Sequence, residues 1–514
     1  MARNRLLRSL FATGGMTLLS RLTGFVRDIL LARLLGTSAL ADAFFVAFRI
    51  PNFLRRIFGE GAFSQAFVPV FAGYDHTDGP RRSEAQEFAD SMAGSFALVL
   101  MGVSLLGVIA APLLILILAP GFLHEPHEYH VAVTLLRITF PYLFFISLVA
   151  MAGGMLNTRG RFAAAAFTPV LLNVTLIIAA GVIAPHTASP VITVAWGVFA
   201  GGALQLLFQV PFLRRQRLLP RLRFSFRHPG VRRVFQLMIP GLFGASIAQI
   251  NLIVDTMLAS FLATGSIAWL YYANRLLEFP LGVFGIALGT VILPHLSARH
   301  AKASAGEFAR TLDWAMKWVA VIALPAAMAL VVLSGPLIVT LFDYGHFNRF
   351  DAVMTEHALM AFGIGLPAFV LIKVLAPGYY ARQDTKTPVK IGVIALIANI
   401  VFNAILIWPL AHVGLALATS LSGILNAALL YRGLRRDGIY EPSTELVRLV
   451  RQALAASAVM GLVLLRPAFE FDRFVQASAI LRLAWLGGWI AVGLCVYVTV
   501  MWIIGVRPRL LHLA

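Results

Sequence analysis

Long apolar segments separated by short polar ones recur along the whole chain. Residues 162–213, 391–431 and 483–506 contain no Asp, Glu, Lys or Arg. Each run is long enough for one or two helices of about 20 residues, the length that crosses the apolar part of a bilayer. The pattern predicts about fourteen such helices, centred near Thr23, Ile57, Gly107, Tyr142, Asn173, Gly201, Gln249, Gly282, Pro325, Gly365, Ala398, Ser420, Ala456 and Val492. The predicted fold class is an all-α polytopic membrane protein.

Composition agrees with a location in the bilayer. Of the 514 residues, 59% are hydrophobic and 13% are charged, and the mean hydropathy is +0.84. A chain this apolar exceeds what soluble cores require, so the bilayer is its solvent. Arg21, Arg27, Asp28 and Arg33 interrupt the first apolar segment, which excludes a cleavable signal sequence there. Cys495 is the only cysteine, which excludes an intrachain disulfide and a thiolate metal cluster.

The net charge of +19 would suit a nucleic acid if the basic residues clustered on one surface. They occur instead in alternate loops. The basic loops follow the even-numbered helices and contain Arg81 and Arg82, Arg159 and Arg161, Arg214 to Arg233, Arg299 and Lys302, Lys386 and Lys390, and Arg432, Arg435 and Arg436. By the positive-inside rule, both termini are predicted to be cytoplasmic. Topology and contact with anionic membrane lipids then explain the charge, and no nucleic-acid partner is expected.

An internal repeat divides the predicted helices into two sets. A shift of about 225 residues superposes Pro69 on Pro294 and Pro141 on Pro367. Six helices separate equivalent positions, so the copies have the same orientation, with a pseudo-two-fold axis along the membrane normal, as in transporters. The predicted parts are a six-helix lobe (1–213), a basic cytoplasmic linker (214–233), a second six-helix lobe (234–436) and two appended helices (437–514).

Charged side chains occur at membrane depth in the first, second and eighth helices. The set comprises Arg21, Arg27, Arg49, Arg55, Arg56 and Arg275, with Asp28, Asp42 and Glu278 and the amide Asn52 among them. Each arginine at a helix centre costs about 2.5–3.5 kcal/mol on insertion scales, so these side chains must face water, a counter-ion or a ligand. Buried ion pairs that join helices are one explanation. Because the cations outnumber the anions, we favour an anion site, and the planar guanidinium suits a diphosphate.

A second polar set could bind a monovalent cation or relay protons. It consists of Asp255 in the seventh helix, Asn399 and Asn403 in the eleventh, and Thr419 in the twelfth. Ordinary hydrogen bonding between helices explains the same residues and is favoured.

No constellation typical of an enzyme is evident, because the twelve histidines are scattered and neither an HExxH motif nor a Gly-rich phosphate loop occurs. The protein is therefore predicted to be a transporter without a cofactor.

Four segments resemble a known family: SRLTGFVRD, ADAFFVAFRIPNFLRRIFGEGAFSQAFVPVF, YYANRLLEFP and IKVLAPGYYARQDTKTPVK. They are similar to the MurJ/MviN family of the MATE-like exporter superfamily, and the resemblance covers nearly the whole chain. It implies a flippase of the bacterial inner membrane that moves lipid II, undecaprenyl diphosphate carrying a disaccharide-pentapeptide, from the cytoplasmic to the periplasmic leaflet. It also implies a lipid-tail groove in the appended helices.

The resemblance also assigns functional residues. By motif match these are Arg21, Arg27, Arg55 and Arg275, with Asp28, Asp42, Asn52 and Glu278 beside them. Two positions depart from similar proteins: Arg49, where Lys is also seen, and Asn274, where an acidic residue can precede the motif arginine.

As a hypothesis, arginines hold the diphosphate while a water-filled cavity opens first to one side of the membrane and then to the other. Membrane potential or a monovalent ion would drive the cycle. The rival hypotheses are a MATE-like exporter of another lipid-linked oligosaccharide or of drugs, and a membrane enzyme acting on polyprenyl-linked sugars. A scaffold role for cell-wall synthesis proteins is compatible with flipping.

Overall fold

A computed structural model describes residues 2–55, 62–74, 81–282 and 305–507. Within these ranges the regular structure is helical and no strand occurs, which confirms the all-α prediction. Five positions used above lie outside the described residues: Arg56, Ile57, Pro294, Arg299 and Lys302.

The helices of the first part of the chain are α1 (Ala2–Leu35), α2 (Ala39–Leu54), α3 (Ala62–Tyr74), α4 (Arg81–Ile109), α5 (Ala111–Leu118), α6 (Pro126–Thr139), α7 (Tyr142–Thr158), α8 (Phe162–Ile178), α9 (Pro190–Arg215) and α10 (Pro229–Ala259). Those of the second part are α11 (Ser266–Pro280), α12 (Ala305–Val332), α13 (Ser334–Phe342), α14 (Arg349–Tyr380), α15 (Lys386–Arg436), α16 (Thr444–Phe469), α17 (Phe471–Gln476) and α18 (Ala479–Ile503).

Nine helical segments among the described residues are long and apolar enough to cross a membrane. They are Glu84–Ile109, Pro126–Thr158, Phe162–His186, Pro190–Arg215, Gly306–Val332, Arg349–Tyr380, Lys386–Arg436, Thr444–Ala468 and Ala479–Ile503. α15 is two helices joined at Ala411, whose φ of 49° and ψ of −129° are not helical. Two helices were predicted there, centred on Ala398 and Ser420. The multi-pass architecture is therefore confirmed, while the count of fourteen stays a prediction.

The order of the helices follows the repeat found in the sequence. α4, the short α5 and the 33-residue segment Pro126–Thr158 recur, about 225 residues later, as α12, the short α13 and the 32-residue segment Arg349–Tyr380. The equivalent prolines differ in effect, because Pro141 lies between α6 and α7 whereas α14 continues through Pro367.

Two compact units make up the chain, Met1–Gly265 and Ser266–Ala514. In the first unit, α10 packs against α3 and α4. Phe63 of α3 stacks on Phe96 of α4 with 4.3 Å between ring centroids, and both rings are fully buried. This first unit therefore extends past the predicted linker and includes α10. The predicted boundaries at residues 213, 233 and 436 stay a prediction.

In the second unit, the two C-terminal helices α16 and α18 pack against α12 through an apolar cluster. Its buried members are Leu333, Leu449, Ala453, Ala456, Met460, Leu464, Tyr497, Met501 and Val506. At one end, the carboxylate of Asp313 on α12 accepts hydrogen bonds from the Tyr440 hydroxyl at 2.8 Å and from the Ser443 hydroxyl at 2.7 Å. Apolar packing and these polar contacts together hold the C-terminal helices on α12.

Arg482 makes a further attachment in this unit. Its guanidinium lies 3.2 Å from the carboxylate of Asp343 and donates to the backbone carbonyls of Val339 and Asp343, both at 3.1 Å. Only 8% of the Arg482 side chain is exposed. Burial raises the pKa of the Asp343 carboxyl above its ordinary value, and the Arg482 guanidinium opposes this shift. The start of α18 is thereby fixed to the end of α13.

Replacing Arg482 by Met should destabilise the second unit. Removing one partner of a buried ion pair costs about 3–5 kcal/mol, because the other charge stays buried without compensation. The measurement is the thermal unfolding midpoint in detergent, together with protease cleavage of the 437–443 connection. The control is Arg473→Met, which removes an exposed arginine paired with Glu470 and should change little. Equal midpoints for the two variants would refute the attachment.

Candidate anion-binding site

Arg27 on α1 is held by two polar partners. Its Nε and Nη2 donate to Oδ1 of Asp28 at 2.9 and 2.7 Å, and its Nη1 donates to Oδ1 of Asn173 on α8 at 3.0 Å. Asp28 is fully buried, and 11% of the Arg27 side chain is exposed. These contacts fix the orientation of the Arg27 guanidinium, and the adjacent carboxylate balances its charge.

Asn173 links this pair to the backbone of α1. Its Nδ2 donates to the carbonyl of Ser20 at 2.9 Å and to the hydroxyl of Thr23 at 3.2 Å. Asn173 therefore bonds to three groups on α1 from the neighbouring helix. It was not predicted as a site residue. The available signal was an amide inside the uncharged run 162–213, where a polar side chain needs a partner.

Arg21 lies on the same helix but in a different environment. It is partly exposed, and within the described part of the chain no hydrogen bond or ion pair of its side chain is found. Its spacing from Asp28 would permit a shared helix face, yet the Asp28 carboxylate bonds to the adjacent Arg27. The guanidinium of Arg21 is thus the one best placed to meet an anion from the surroundings of α1.

The predicted residues of α2 divide into two kinds. Asp42 is buried and accepts a hydrogen bond from the Gly265 N–H at 2.7 Å, and Arg49 donates to the Leu252 carbonyl on α10 at 3.0 Å. These two residues connect α2 with α10 and the turn after it. Arg55 instead directs its Nε and Nη2 at Oδ1 of Asn52, at 3.1 and 2.9 Å. The Asn52 amide fixes the direction of these two Arg55 donors.

In the second unit, Arg275 and Glu278 form the ion pair that their spacing on α11 indicates. The distance is 3.1 Å, and the side chains are 27% and 37% exposed. Such partial exposure leaves both groups open to solvent or solutes.

The residues predicted for a monovalent cation are found in both units. Nδ2 of Asn403 donates to Oδ1 of Asn399 at 3.1 Å on α15, and Thr419 donates to the carbonyl of Leu415 at 3.0 Å. Asp255 belongs to α10 in the first unit. The asparagine contact lies within one helix, and both the cation site and the expected hydrogen bonding between helices stay predictions. In the described ranges no three His, Cys, Asp or Glu side chains are grouped to hold a metal ion.

Taken by itself, the first unit has a positive site. It contains Arg21, Arg27, Arg49 and Arg55 and the carboxylates of Asp28 and Asp42, of which Asp28 binds Arg27 and Asp42 binds the Gly265 N–H; that the four arginines form one anion site stays a prediction. Guanidinium groups bind phosphate through paired N–H donors. The arrangement is suited to holding a phosphate-bearing group, and no nucleophile or general base is needed for that role.

The chain matches a family model described as lipid II flippase MurJ over residues 31–484. A Vibrio cholerae protein named probable lipid II flippase MurJ is 45% identical over 512 residues, which cover 98% of this chain and 97% of that protein. A Burkholderia cenocepacia protein named lipid II flippase MurJ is 41% identical and covers 98% of both chains.

Solved structures agree with the family match. One titled lipid II flippase MurJ, inward closed conformation, has a TM-score of 0.80 and 28% identity, and the match covers 96% of this chain and 98% of that chain. An inward-facing multidrug resistance MATE family transporter has a TM-score of 0.68 at 14% identity, covering 82% of this chain and 95% of that one. The second likeness shows the shared fold alone.

Replacing Asn173 by Leu should lower the free energy of unfolding by about 1–3 kcal/mol, because the buried donors and acceptors it serves lose their partner. Thermal unfolding in detergent measures the change. Thr175→Val on the same helix is the matched control, because its hydroxyl bonds only to its own helix, at Leu171 and Leu172. If both variants unfold at the same temperature, Asn173 does not connect α8 with α1.

Proposed function

The chain belongs to the lipid II flippase MurJ family, and we propose that it moves the headgroup of lipid II across the cytoplasmic membrane of a bacterium. The observation that carries this function is identity of 41–45% to lipid II flippases over nearly the whole chain. The family consists of transporters. Flipping supplies the lipid-linked peptidoglycan precursor to the periplasmic leaflet, where the cell wall is assembled.

The diphosphate of the substrate is the group that we propose the arginines bind. Arg21 is partly exposed on α1, and the Asn52 amide orients Arg55, so we propose that both contact the phosphates. Arg27 is aimed by Asp28 and Asn173 before the substrate arrives. Aiming the fork in advance lowers the entropy lost on binding. Phosphate oxygens can then replace the Asp28 oxygen as acceptors of the Arg27 donors.

Arg275 and Glu278 are proposed as contributors from the second unit, by their motif match. Their ion pair is half-open to solvent, which allows Arg275 to exchange Glu278 for a phosphate oxygen. Asp42 and Arg49 are given a different part: they hold α2 to α10, and a transport cycle that opens the periplasmic side would have to break these contacts.

Translocation proceeds by alternating access in this proposal. The charged headgroup crosses in water, facing first the cytoplasm and then the periplasm, while the polyprenyl tail stays in lipid. Both termini are proposed to be cytoplasmic, because the basic loops follow the even-numbered members of the fourteen helices predicted from the sequence. A tail groove formed by α16 and α18 and contacts with cell-wall synthesis proteins stay predictions. A MATE-like exporter of drugs is disfavoured, because arginine rather than carboxylate dominates the predicted site.

The first prediction concerns translocation of lipid II in proteoliposomes. Arg27→Ala and Arg275→Ala should each slow flipping by roughly 10- to 100-fold, because a hydrogen bond to a charged group contributes about 1.5–3 kcal/mol. Arg473→Ala removes an exposed arginine at a surface pair and should retain wild-type flipping. Verified insertion and folding of each variant is required. Flipping at the wild-type rate by both folded variants would leave those arginines a packing role only.

The second prediction concerns the energy source. With the interior negative, the membrane potential favours outward movement of an anion and inward return of an empty cationic site, by about 2.3 kcal/mol per charge per 100 mV. Collapsing the potential in vesicles at fixed pH and fixed sodium should therefore slow flipping. An unchanged rate would reject the potential as the driver and direct attention to a monovalent ion.

A further inference from the structure

The segment that joins α9 to α10 contains a non-helical stretch, residues 221–227, here named the linker ribbon; residues 221–225 have no regular secondary structure, and residues 226–227 form a turn. Apolar and basic residues alternate along it: Leu222, Phe224 and Phe226 at even positions, and Arg221, Arg223 and Arg227 at odd positions. In an extended chain, alternate side chains share a face. Leu222 and Phe224 are therefore expected on one face, and they are 65% and 63% exposed; Phe226, in the turn that follows, is 48% exposed.

The linker ribbon is fixed along residues 90–95 of α4. The N–H of Arg221 donates to the Asp90 carboxylate at 2.8 Å, that of Arg223 to the Asp90 carbonyl at 3.2 Å, and that of Ser225 to the Ser95 hydroxyl at 3.1 Å. These N–H groups alternate in sequence, so one backbone edge faces α4. Gly94 allows this approach, because a Cβ there would lie 2.3 Å from the Arg223 carbonyl oxygen. The exposed apolar row is therefore held in place rather than being a loose loop.

The end of the ribbon is tied to the start of α10. His228 accepts a hydrogen bond from the Gly230 N–H at 3.1 Å, and its ring stacks on Phe88 of α4 with 5.5 Å between centroids. Burial lowers the pKa of His228, which favours the neutral ring that can accept this bond. A contact that restrains the linker ribbon is therefore expected to restrain the first turn of α10 as well.

The position of the ribbon along α4 sets its depth. Asp90 is the last charged residue of α4, and residues 91–109 are uncharged. That run is close to the ~20 residues that a helix needs to cross the apolar layer. The boundary between headgroups and acyl chains therefore passes close to residues 90–95, where the ribbon is bonded. α9, a candidate membrane span, also ends just before this segment, at Arg215.

The charge of this segment indicates what kind of partner it binds. Residues 214–233 contain eight arginines and neither Asp nor Glu. Arg221 and Arg227 are exposed, and Arg223 forms an exposed pair with Glu87 at 3.1 Å. A surface that combines apolar side chains with cations at headgroup depth matches an anionic bilayer interface, where rings and aliphatic chains enter the acyl boundary and arginines meet phosphates.

We propose that the linker ribbon is a lipid-binding surface that inserts Leu222, Phe224 and Phe226 into the cytoplasmic leaflet and binds the phosphates of anionic phospholipids through Arg221 and Arg227. The leaflet then restrains the start of α10 through His228. This role does not depend on the cargo, so it stands or fails separately from lipid II flipping.

Fluorescence at position 224 tests the insertion. Phe224→Cys in a Cys495→Ala background is labelled with bimane and reconstituted into vesicles of phosphatidylcholine with or without phosphatidylglycerol. Lipid carrying a nitroxide near the headgroup should quench the label, and aqueous iodide should quench it less than a label at Glu441→Cys, an exposed position in another connection. Iodide access equal to that at position 441 would overturn the proposal.

Anionic lipid should act through the arginines. In the labelled protein, Arg221→Gln with Arg227→Gln should raise the phosphatidylglycerol concentration needed for half-maximal nitroxide quenching by about fivefold for each arginine removed. Arg432→Gln with Arg436→Gln, exposed arginines at the end of another candidate span, should leave that concentration unchanged. Quenching that is the same in both lipids would overturn the phosphate contact. A label that lipid never quenches, but that an acidic protein shields from iodide, would assign the ribbon to a protein partner instead.

Discussion

The absence of water in the apolar layer is the constraint on which the rest of this structure depends. A backbone group without a partner is costly there, so the described chain is helical. A guanidinium is costlier still, so it needs a polar partner or water. Arg27 has a carboxylate and an amide, and Arg49 has a backbone carbonyl. The proposed diphosphate site therefore requires arginines whose present partners a phosphate can replace.

Polar contacts have different roles in the two units. In the first unit, Asn173 and Asp28 orient an arginine, and in the second, Asp313 and Arg482 attach helices that lie beyond the repeat. An apolar cluster and the polar contacts of Asp313 attach α16 and α18 to α12, whereas Arg482 attaches α18 to α13. α12, α16 and α18 are therefore expected to move as one body during any rearrangement of the second unit.

Much of the fold could be predicted from the sequence, because hydropathy reports directly on the length of a bilayer crossing. The repeat was also visible, and the helix order follows it. The short helices α5 and α13 were missed, since eight or nine apolar residues do not differ from the end of a long span. A break between two helices was expected in this region, near Pro409, but nothing in the sequence marks Ala411 as the residue with a positive φ.

The arginines of the candidate site were predicted, but several of their partners were not. Arg49 and Arg482 bind backbone carbonyls. Because every residue has a backbone carbonyl, the sequence does not indicate which carbonyl an arginine binds. The role of Asn173 cannot be predicted until the helix that packs against α8 is known. Charge composition therefore indicates an anion site, whereas the tertiary packing decides which arginines are free to serve it.

The pair of Asp343 and Arg482 also bears on how the chain is made. The carboxylate is synthesised 139 residues before its guanidinium, so α13 is already in place when its counter-charge has yet to leave the ribosome. Until α18 arrives, Asp343 has to be hydrated, protonated or screened by other components of the insertion machinery. When α18 packs in place, Arg482 covers this carboxylate. A chain that lacks α18 would therefore differ chemically at Asp343 from one that contains it.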